Sequence, residues 1–369
     1  MNTLQEQIEL KSQEIHTDSY PISIGEIMTM YKDGDLDIHP EFQRFFRWTL
    51  SQKTKLIESI LLNIPIPPIF VAQRKDGIWD IVDGLQRMST ILQFVGILKD
   101  IDQKLMPPLV LDQTKLLTAL KDKVFGEDSI ETENSLTDAQ RRYFKREKIN
   151  FIIIKKESDE SSKYELFQRL NTGGTSLTPQ EVRSCMMVMV NSLLFQTIKE
   201  LATYESFLQC VKLSDKNIEE QYDIELIIRF ICLRNLQLNE IGAIVDLSDY
   251  LDNSIVEKMQ MPNYDWENEF ITFKKTFDIL NATTNDKSFW RYDCKQQKYT
   301  GGFLVSAYEI LAISLGKNPN IVNAEVEPKL KNAWTEIEET NISWKGYSAS
   351  GRLTKTLRIG RKFFQNEEV

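Results

Sequence analysis

The stretch WDIVDGLQRMSTILQFV, residues 79–95, changes its hydrophobic period in the middle and decides the fold around it. Before the change, Ile81 and Val82 belong to a short β-branched and aromatic run that predicts a strand. After it, apolar residues recur at helical spacing and predict an amphipathic helix; they are Leu85, Met88, Ile91, Leu92 and Val95. Asp83 and Gly84 stand between the two patterns, so the sequence predicts a strand-to-helix corner.

The corner has two equally good interpretations. A glycine allows a tight turn, and the start of the next helix offers free N–H groups and a positive dipole end. Gln86 and Arg87 lie in that first turn, where a guanidinium can donate two hydrogen bonds to a phosphate. The corner is therefore a candidate anion or nucleotide site. Alternatively, it is an ordinary corner in which Asp83 caps the helix and pairs with Arg87.

Length and composition limit the class of protein. The chain has 369 residues, of which 41% are hydrophobic and 27% charged, as in a soluble globular protein large enough for two domains. The net charge of −9 argues against a protein that coats nucleic acid by overall basicity. Any DNA contact is therefore expected from a local basic patch.

The rare residue types give no metal or membrane signal. The four cysteines lack zinc-ligand spacing, which favours buried, reduced thiols in the cytosol; they are Cys185, Cys210, Cys232 and Cys294. With only His16 and His39, a histidine-metal site is not expected. No run has the length of a signal peptide or a membrane span. We expect a cytoplasmic protein without membrane contact.

The N-terminal part also predicts further strands and helices. Residues 68–72 form a predicted strand that joins residues 78–82 through an Asp-Gly hairpin turn, and residues 149–154 are expected to form a strand buried on both sides. Residues 99–148 are polar and mixed, so we expect a partly helical insertion with an acidic tip. Its basic run, residues 138–148, is expected to be a solvated helix face, with DNA contact as the alternative.

Two other polar segments could be structural or could belong to a binding site. Residues 42–48 contain four aromatic rings that favour a core, while the polar groups of Gln43 and Arg44 remain available. Residues 164–183 predict two helices joined by a glycine-rich loop. The loop carries Asn171, Gly173 and Gly174, and the second helix opens with a capping box at Thr178. The alternative is an ordinary helix-turn-helix corner, which explains the glycines and the cap but not the polar residues Gln168, Arg169 and Asn171 beside them, for which surface polarity is the other explanation.

The remainder of the chain is helical in pattern and ends in a basic tail. Residues 342–365 contain no acidic residue. Four basic residues among them are candidate nucleic-acid contacts: Arg352, Lys355, Arg358 and Arg361. A solvated surface helix is an equally good interpretation. We therefore predict two domains, residues 1–156 with the insertion at about 99–148, and residues 157–369 as a mainly helical domain with the basic tail.

Taken together, the motifs resemble a known family. The ordered set is FQR at residues 42–44, Trp48, LIESILLNIPIPPIF at 56–70, VDGLQRMST at 82–90 and FQRLNTGGTSLTPQE at 167–181. It resembles the N-terminal domain of GmrSD-type restriction endonucleases, also called domain of unknown function 262. The family's Asp-Gly-Gln-Gln-Arg motif has Leu85 at its third position here, so a contact made by that glutamine is not transferred. The resemblance covers most of the chain.

That family is in turn similar to the ParB and sulfiredoxin nucleotide-binding fold. The similarity implies an α+β fold, with a small mixed sheet and helices in the N-terminal half followed by a mainly helical domain. It also implies that three segments surround a nucleoside triphosphate of unknown base; their residues here are Gln43, Arg44, Gly84, Gln86, Arg87, Asn171, Gly173 and Gly174. Asp83 and Arg87 are the expected catalytic residues, and Asp83 is expected to hold Mg²⁺ or to orient water.

Function follows from the resemblance as an expectation. Family members are implied to bind and hydrolyse nucleoside triphosphates and to restrict foreign DNA. Many relatives add an HNH nuclease domain, but this chain has no histidine after His39. We therefore expect an NTP-hydrolysing regulatory protein of a restriction or anti-phage system, which acts with DNA and a separate nuclease or effector subunit and can form a homo-oligomer. The alternatives are a nucleotide-gated binding module without turnover and a ParB-like phosphodiesterase.

Overall fold

The computed structural model describes residues 3–12, 16–38, 48–100, 102–126, 132–156, 158, 178–318, 320–340 and 347–365. The chain divides into two compact units, Met1–Leu177 and Thr178–Val369. The first contains a mixed sheet with helices and the second is mainly helical, so the predicted α+β class is confirmed. Gln43, Arg44, Asn171, Gly173 and Gly174 lie outside the described residues.

A five-stranded sheet organises the first unit. Its strands are β1 (Thr17–Ser23), β2 (Leu36–Asp37), β3 (Ile69–Gln73), β4 (Trp79–Asp83) and β5 (Lys148–Ile154), in the order β1-β5-β3-β4-β2. β3 runs parallel to β5 and β2 parallel to β4, whereas β1–β5 and β3–β4 are antiparallel. The helices are Leu4–Ser12, Ile24–Asp33, Leu50–Leu61, Leu85–Phe94 and Asp138–Arg146, with a 3₁₀ turn at Thr118–Leu120.

Local sequence signals account for the centre of this sheet. β3 and β4 form the predicted hairpin, in which Gly77 adopts a left-handed φ of 96° and Asp76 accepts a hydrogen bond from the Ile78 N–H. Thr49 caps the Leu50–Leu61 helix in a reciprocal capping box with Gln52. β1 was not predicted, because its polar residues 17–20 are exposed and its partner β5 lies far along the chain.

The segment between residues 99 and 148 contributes to the core of the first unit. Six of its apolar side chains are buried in the same cluster as the sheet: Leu109, Leu111, Leu120, Phe125, Leu136 and Phe144. Arg141 is also buried, so only part of the basic run forms a solvated face. The acidic tip, residues 127–131, lies outside the described residues.

The prediction that the 149–154 strand is buried on both sides was wrong for the start of β5. Lys148 and Asn150 are exposed, while Ile149 and Phe151 are buried, so side chains alternate there as in a strand with one covered face.

The part of the second unit that the structure describes consists of helices and one small hairpin of two strands. Its helices are Pro179–Leu201, Glu205–Cys210, Asp215–Glu219, Tyr222–Leu233, Leu238–Gly242, Leu247–Gln260, Trp266–Thr283, Val305–Tyr308, Ser314–Lys317, Asn323–Glu339 and Ala349–Phe364, with a π-helical turn at Glu309–Ile313. β6 (Arg291–Asp293) and β7 (Lys298–Thr300) form an antiparallel pair. Its core contains an aromatic cluster that includes Phe230, Phe273 and Phe277.

Over the described ranges of the chain, none of the helices is both long enough and apolar enough to traverse a bilayer.

Candidate functional site

The candidate site is the corner where β4 passes into the Leu85–Phe94 helix. Gly84 occupies the N-cap position with a φ of 98°, in the left-handed region that glycine adopts without strain. A Cβ atom on Gly84 would lie 2.3 Å from the Ile69 Cδ1 atom, so a larger residue would collide with β3. The backbone conformation therefore favours glycine at this corner, and a larger residue would also have to displace the end of the Ile69 side chain.

Arg87 is bonded within the fold. One terminal nitrogen donates to the Asp83 Oδ2 atom at 2.7 Å, and the other donates to the Pro67 and Pro68 carbonyls at 2.7 and 3.1 Å. Its side chain is only 11% exposed, compared with 31% for Asp83. The interpretation that paired Arg87 with Asp83 is the one observed. The same interpretation also predicted that Asp83 caps the helix, and this was wrong. Gly84 holds the N-cap position, and no described side chain caps the helix.

Gln86 forms a hydrogen bond that links the corner to the backbone at Trp48. Its Oε1 atom accepts a hydrogen bond from the Trp48 N–H at 3.3 Å. β2 runs parallel to β4, so the chain leaves β2 at Ile38 towards the sheet edge where Asp83 lies.

The arrangement fits a phosphate group better than a preformed metal centre. The Leu85–Phe94 helix has ten residues, and its N-terminus lacks a described side-chain cap, so first-turn N–H groups can donate hydrogen bonds to an anion. Asp83 keeps part of its carboxylate exposed beside them. In the described part of the chain, no three acidic, histidine or cysteine side chains cluster as metal ligands. Mg²⁺ would therefore be held by Asp83 together with substrate phosphates and water, as is common for this ion.

The other carboxylates near β4 have separate partners. Asp80 and Asp37 both pair with Arg74, the distance from Arg74 to Asp37 being 2.7 Å. Burial lowers the pKa of Arg74, but its bonds to Asp80 and Asp37 outweigh that effect and hold the pKa above its ordinary value. Glu58 accepts hydrogen bonds from the Thr114 hydroxyl and the Leu117 N–H. The carboxylates that a two-metal phosphodiesterase would require are therefore engaged in holding the fold together.

The basic tail also has internal partners. Residues 349–364 form a helix, in which Arg361 is 1% exposed and donates to the Leu236 carbonyl. Arg352 pairs with the buried Glu309 at 2.9 Å, and the Lys355 ammonium donates to the Tyr347 hydroxyl. Arg358 is exposed. Arg352 and Arg361 are thus bonded within the fold, and the nucleic-acid contact of the four residues stays a prediction.

The contacts of Arg87 with Pro67 and Pro68 were missed by the sequence analysis. The Asp83–Arg87 pair carries a sequence signal, because residues four apart on a helix start can meet. Backbone carbonyl acceptors carry none, since every residue type supplies the same group. The bond between Gln86 and Trp48 was also missed, because its donor is a backbone N–H, which almost every residue type supplies.

The fold and the corner define an α+β protein whose candidate site lies where a sheet strand enters a helix at a left-handed glycine. Within this class, residues 24–188 match the N-terminal domain of the GmrSD restriction endonuclease. The resemblance to the GmrSD N-terminal family seen in the motifs is thus confirmed over those residues. The match indicates a component of a restriction or defence system. No curated protein matches the chain.

Proposed function

We propose that the domain at residues 24–188 binds a nucleoside triphosphate with Mg²⁺ at the Asp83–Arg87 corner and hydrolyses it. The protein then acts as the regulatory component of a DNA restriction or anti-phage system and works with a separate nuclease or effector subunit. The observation that carries the proposal is the Gly84 corner, because it lies in the segment that matches the family and presents the N-terminus of a helix beside a partly exposed carboxylate.

Each residue of the corner has a distinct role in this proposal. First-turn amides after Gly84 contact the phosphates, and Asp83 holds Mg²⁺ or orients the attacking water. Arg87 is a positioning residue, because its bonds to Asp83 and the proline carbonyls orient the carboxylate. Gln86 keeps Trp48 against the corner. Gln43 and Arg44, which precede Trp48 in the sequence, are the proposed nucleotide contacts from that segment. Asn171, Gly173 and Gly174 close the site from a third segment.

The first prediction concerns Asp83→Asn. Turnover should fall by about 100-fold or more, because an amide neither activates water nor holds Mg²⁺ as a carboxylate does. Nucleotide affinity should change much less. Phosphate release is measured with each of the four triphosphates and Mg²⁺, and binding by calorimetry. Asp102→Asn is the matched control, since Asp102 lies in an exposed loop of the same unit and loses the same charge. Equal turnover in the Asp83 and Asp102 variants would contradict the assignment.

A second candidate function is a nucleotide-gated module that binds without turnover. It is favoured by the internal bonds of Arg87, which leave that guanidinium without a free fork for a transferring phosphoryl group. The same two assays separate the candidates. Saturable nucleotide binding without any phosphate release identifies the binding module, whereas release that depends on Asp83 identifies the enzyme.

A further inference from the structure

The hairpin of β6 and β7 presents a compact polar tip on the second unit. The tip has the sequence Lys295-Gln296-Gln297-Lys298, and all four residues are exposed. Gln296 donates its N–H to the Asp293 Oδ1 atom at 2.8 Å, and Gln297 adopts a left-handed φ of 49°. These two features define the turn, so the tip has a fixed backbone shape.

One face of the hairpin is packed against the Asn323–Glu339 helix. Tyr292 and Tyr299 form an edge-to-face pair with ring centroids 5.1 Å apart, and the Lys331 ammonium lies 5.3 Å from the Tyr292 ring. The Cys294 sulfur lies 3.4 Å from the Thr335 hydroxyl oxygen. The hairpin is thereby held in place, which reduces the entropic cost of presenting its tip to a partner.

The ammonium groups of the two tip lysines have no carboxylate partner among the described residues. Throughout the described ranges, neither Lys295 nor Lys298 forms an ion pair, although the chain as a whole is acidic. Acidic residues on the helix beneath have partners of their own, Glu338 with Arg291 and Glu327 with Lys331. Two cations therefore flank two amide side chains on an exposed tip.

We propose that this hairpin is a contact for double-stranded DNA and enters its major groove. The inference rests on the proposed role in a DNA restriction system. The major groove of B-form DNA is about 12 Å wide and admits a two-stranded ribbon, whose strands lie about 5 Å apart. Lysines contact phosphates or guanine, and glutamine can form paired hydrogen bonds with adenine. The tip supplies both residue types side by side.

The hairpin is a better candidate than the basic C-terminal helix. In that helix, Arg352 and Arg361 are bonded to Glu309 and to a backbone carbonyl, and Lys355 is bonded to Tyr347. A phosphate would have to displace these partners. At the tip, Lys295 and Lys298 can contact DNA without breaking an ion pair to any residue that the structure describes.

The second prediction tests this contact with the full chain and a fluorescent DNA duplex. We expect Lys295→Ala/Lys298→Ala to weaken binding on the order of tenfold and to lower the slope of log affinity against log salt by about 2. The matched control is Lys212→Ala/Lys216→Ala, which removes the same charge from exposed positions on another surface segment of the unit. The proposal is overturned if both double variants bind alike, or if the wild-type chain does not bind the duplex at low salt.

Two further measurements identify the partner and separate this proposal from the first. An RNA duplex of the same sequence should compete at least tenfold less well, because its major groove is too deep and narrow for a ribbon. Equal competition would overturn the proposed groove contact. Nucleotide turnover should be unchanged in Lys295→Ala/Lys298→Ala, so a loss of DNA binding alone supports the hairpin contact whatever the outcome at Asp83.

Discussion

At the residue scale, the corner depends on the backbone freedom of one glycine. Gly84 has a positive φ, as does Gly77 in the β3–β4 turn, but their surroundings differ. A Cβ on Gly84 would meet Ile69, whereas a Cβ on Gly77 would have no heavy atom within 4 Å. The two positions therefore separate the cost of backbone strain from the cost of a collision.

The third prediction compares these two glycines. Gly77→Ala should lower the free energy of unfolding by about 1 kcal/mol, the cost of a left-handed alanine. Gly84→Ala should lower it by about 2–4 kcal/mol, because the collision with Ile69 adds to the same strain. Urea unfolding of both variants measures the difference. Equal losses would show that Ile69 moves aside easily and that packing does not demand glycine at the corner.

At the element scale, the π-helical turn Glu309–Ile313 organises charge inside the second unit. Glu309 is 0% exposed and accepts hydrogen bonds from Arg229, Arg352 and the Thr356 hydroxyl. Arg229 also pairs with Glu225 at 2.6 Å. These bonds connect the π-helical turn to two helices, Tyr222–Leu233 and Ala349–Phe364, so Glu309 links the buried polar groups of all three elements.

The fourth prediction is that Glu309→Leu destabilises the protein by about 3–5 kcal/mol. Removing Glu309 leaves the Arg352 guanidinium without its ion-pair partner and leaves the buried Arg229 with Glu225 alone. Glu325→Leu is the control, because Glu325 forms only an exposed pair with Lys329 that is worth roughly 0.5 kcal/mol or less. Thermal or urea denaturation compares the two variants. Similar midpoints would contradict a structural role for the buried network.

At the scale of the whole molecule, one buried ion pair makes stability depend on pH. Arg183 donates to the Asp252 Oδ1 atom at 2.5 Å, and both side chains are buried. Burial raises the pKa of the Asp252 carboxyl to about 6, against the opposite effect of Arg183, from an ordinary value of 3.8. The folded protein therefore binds this proton more tightly than the unfolded chain does.

The fifth prediction follows from the sign of this shift. The stabilisation is fully present below pH 3.8 and is lost as the pH rises through about 6. The wild-type chain should lose about 3 kcal/mol relative to Asp252→Asn over that interval, because each pKa unit corresponds to about 1.4 kcal/mol. Urea unfolding of both proteins at a series of pH values gives the difference. A constant difference across the interval would contradict the raised pKa.

The elements with local signals were predictable. The changing hydrophobic period predicted β4 and the helix after Gly84, and the Asp-Gly pair predicted the hairpin. Short-range preferences govern these features, so neighbouring residues contain the information. β1 and the packing of residues 99–148 depend on partners far along the chain, and their polar composition conceals that role.

The sequence by itself determined the α+β class, the corner at Asp83 and Gly84, and the family of residues 24–188. Hydrophobic periodicity, turn-forming residues and the order of the motifs can be identified without knowing which distant residues meet in the fold. Only the tertiary structure decided that Arg87 bonds to Pro67 and Pro68, that Arg361 is buried, and that the tip lysines are exposed. Those outcomes depend on which distant groups the fold brings within hydrogen-bonding distance. A charged side chain looks the same in a sequence whether it meets water, a carbonyl or a carboxylate.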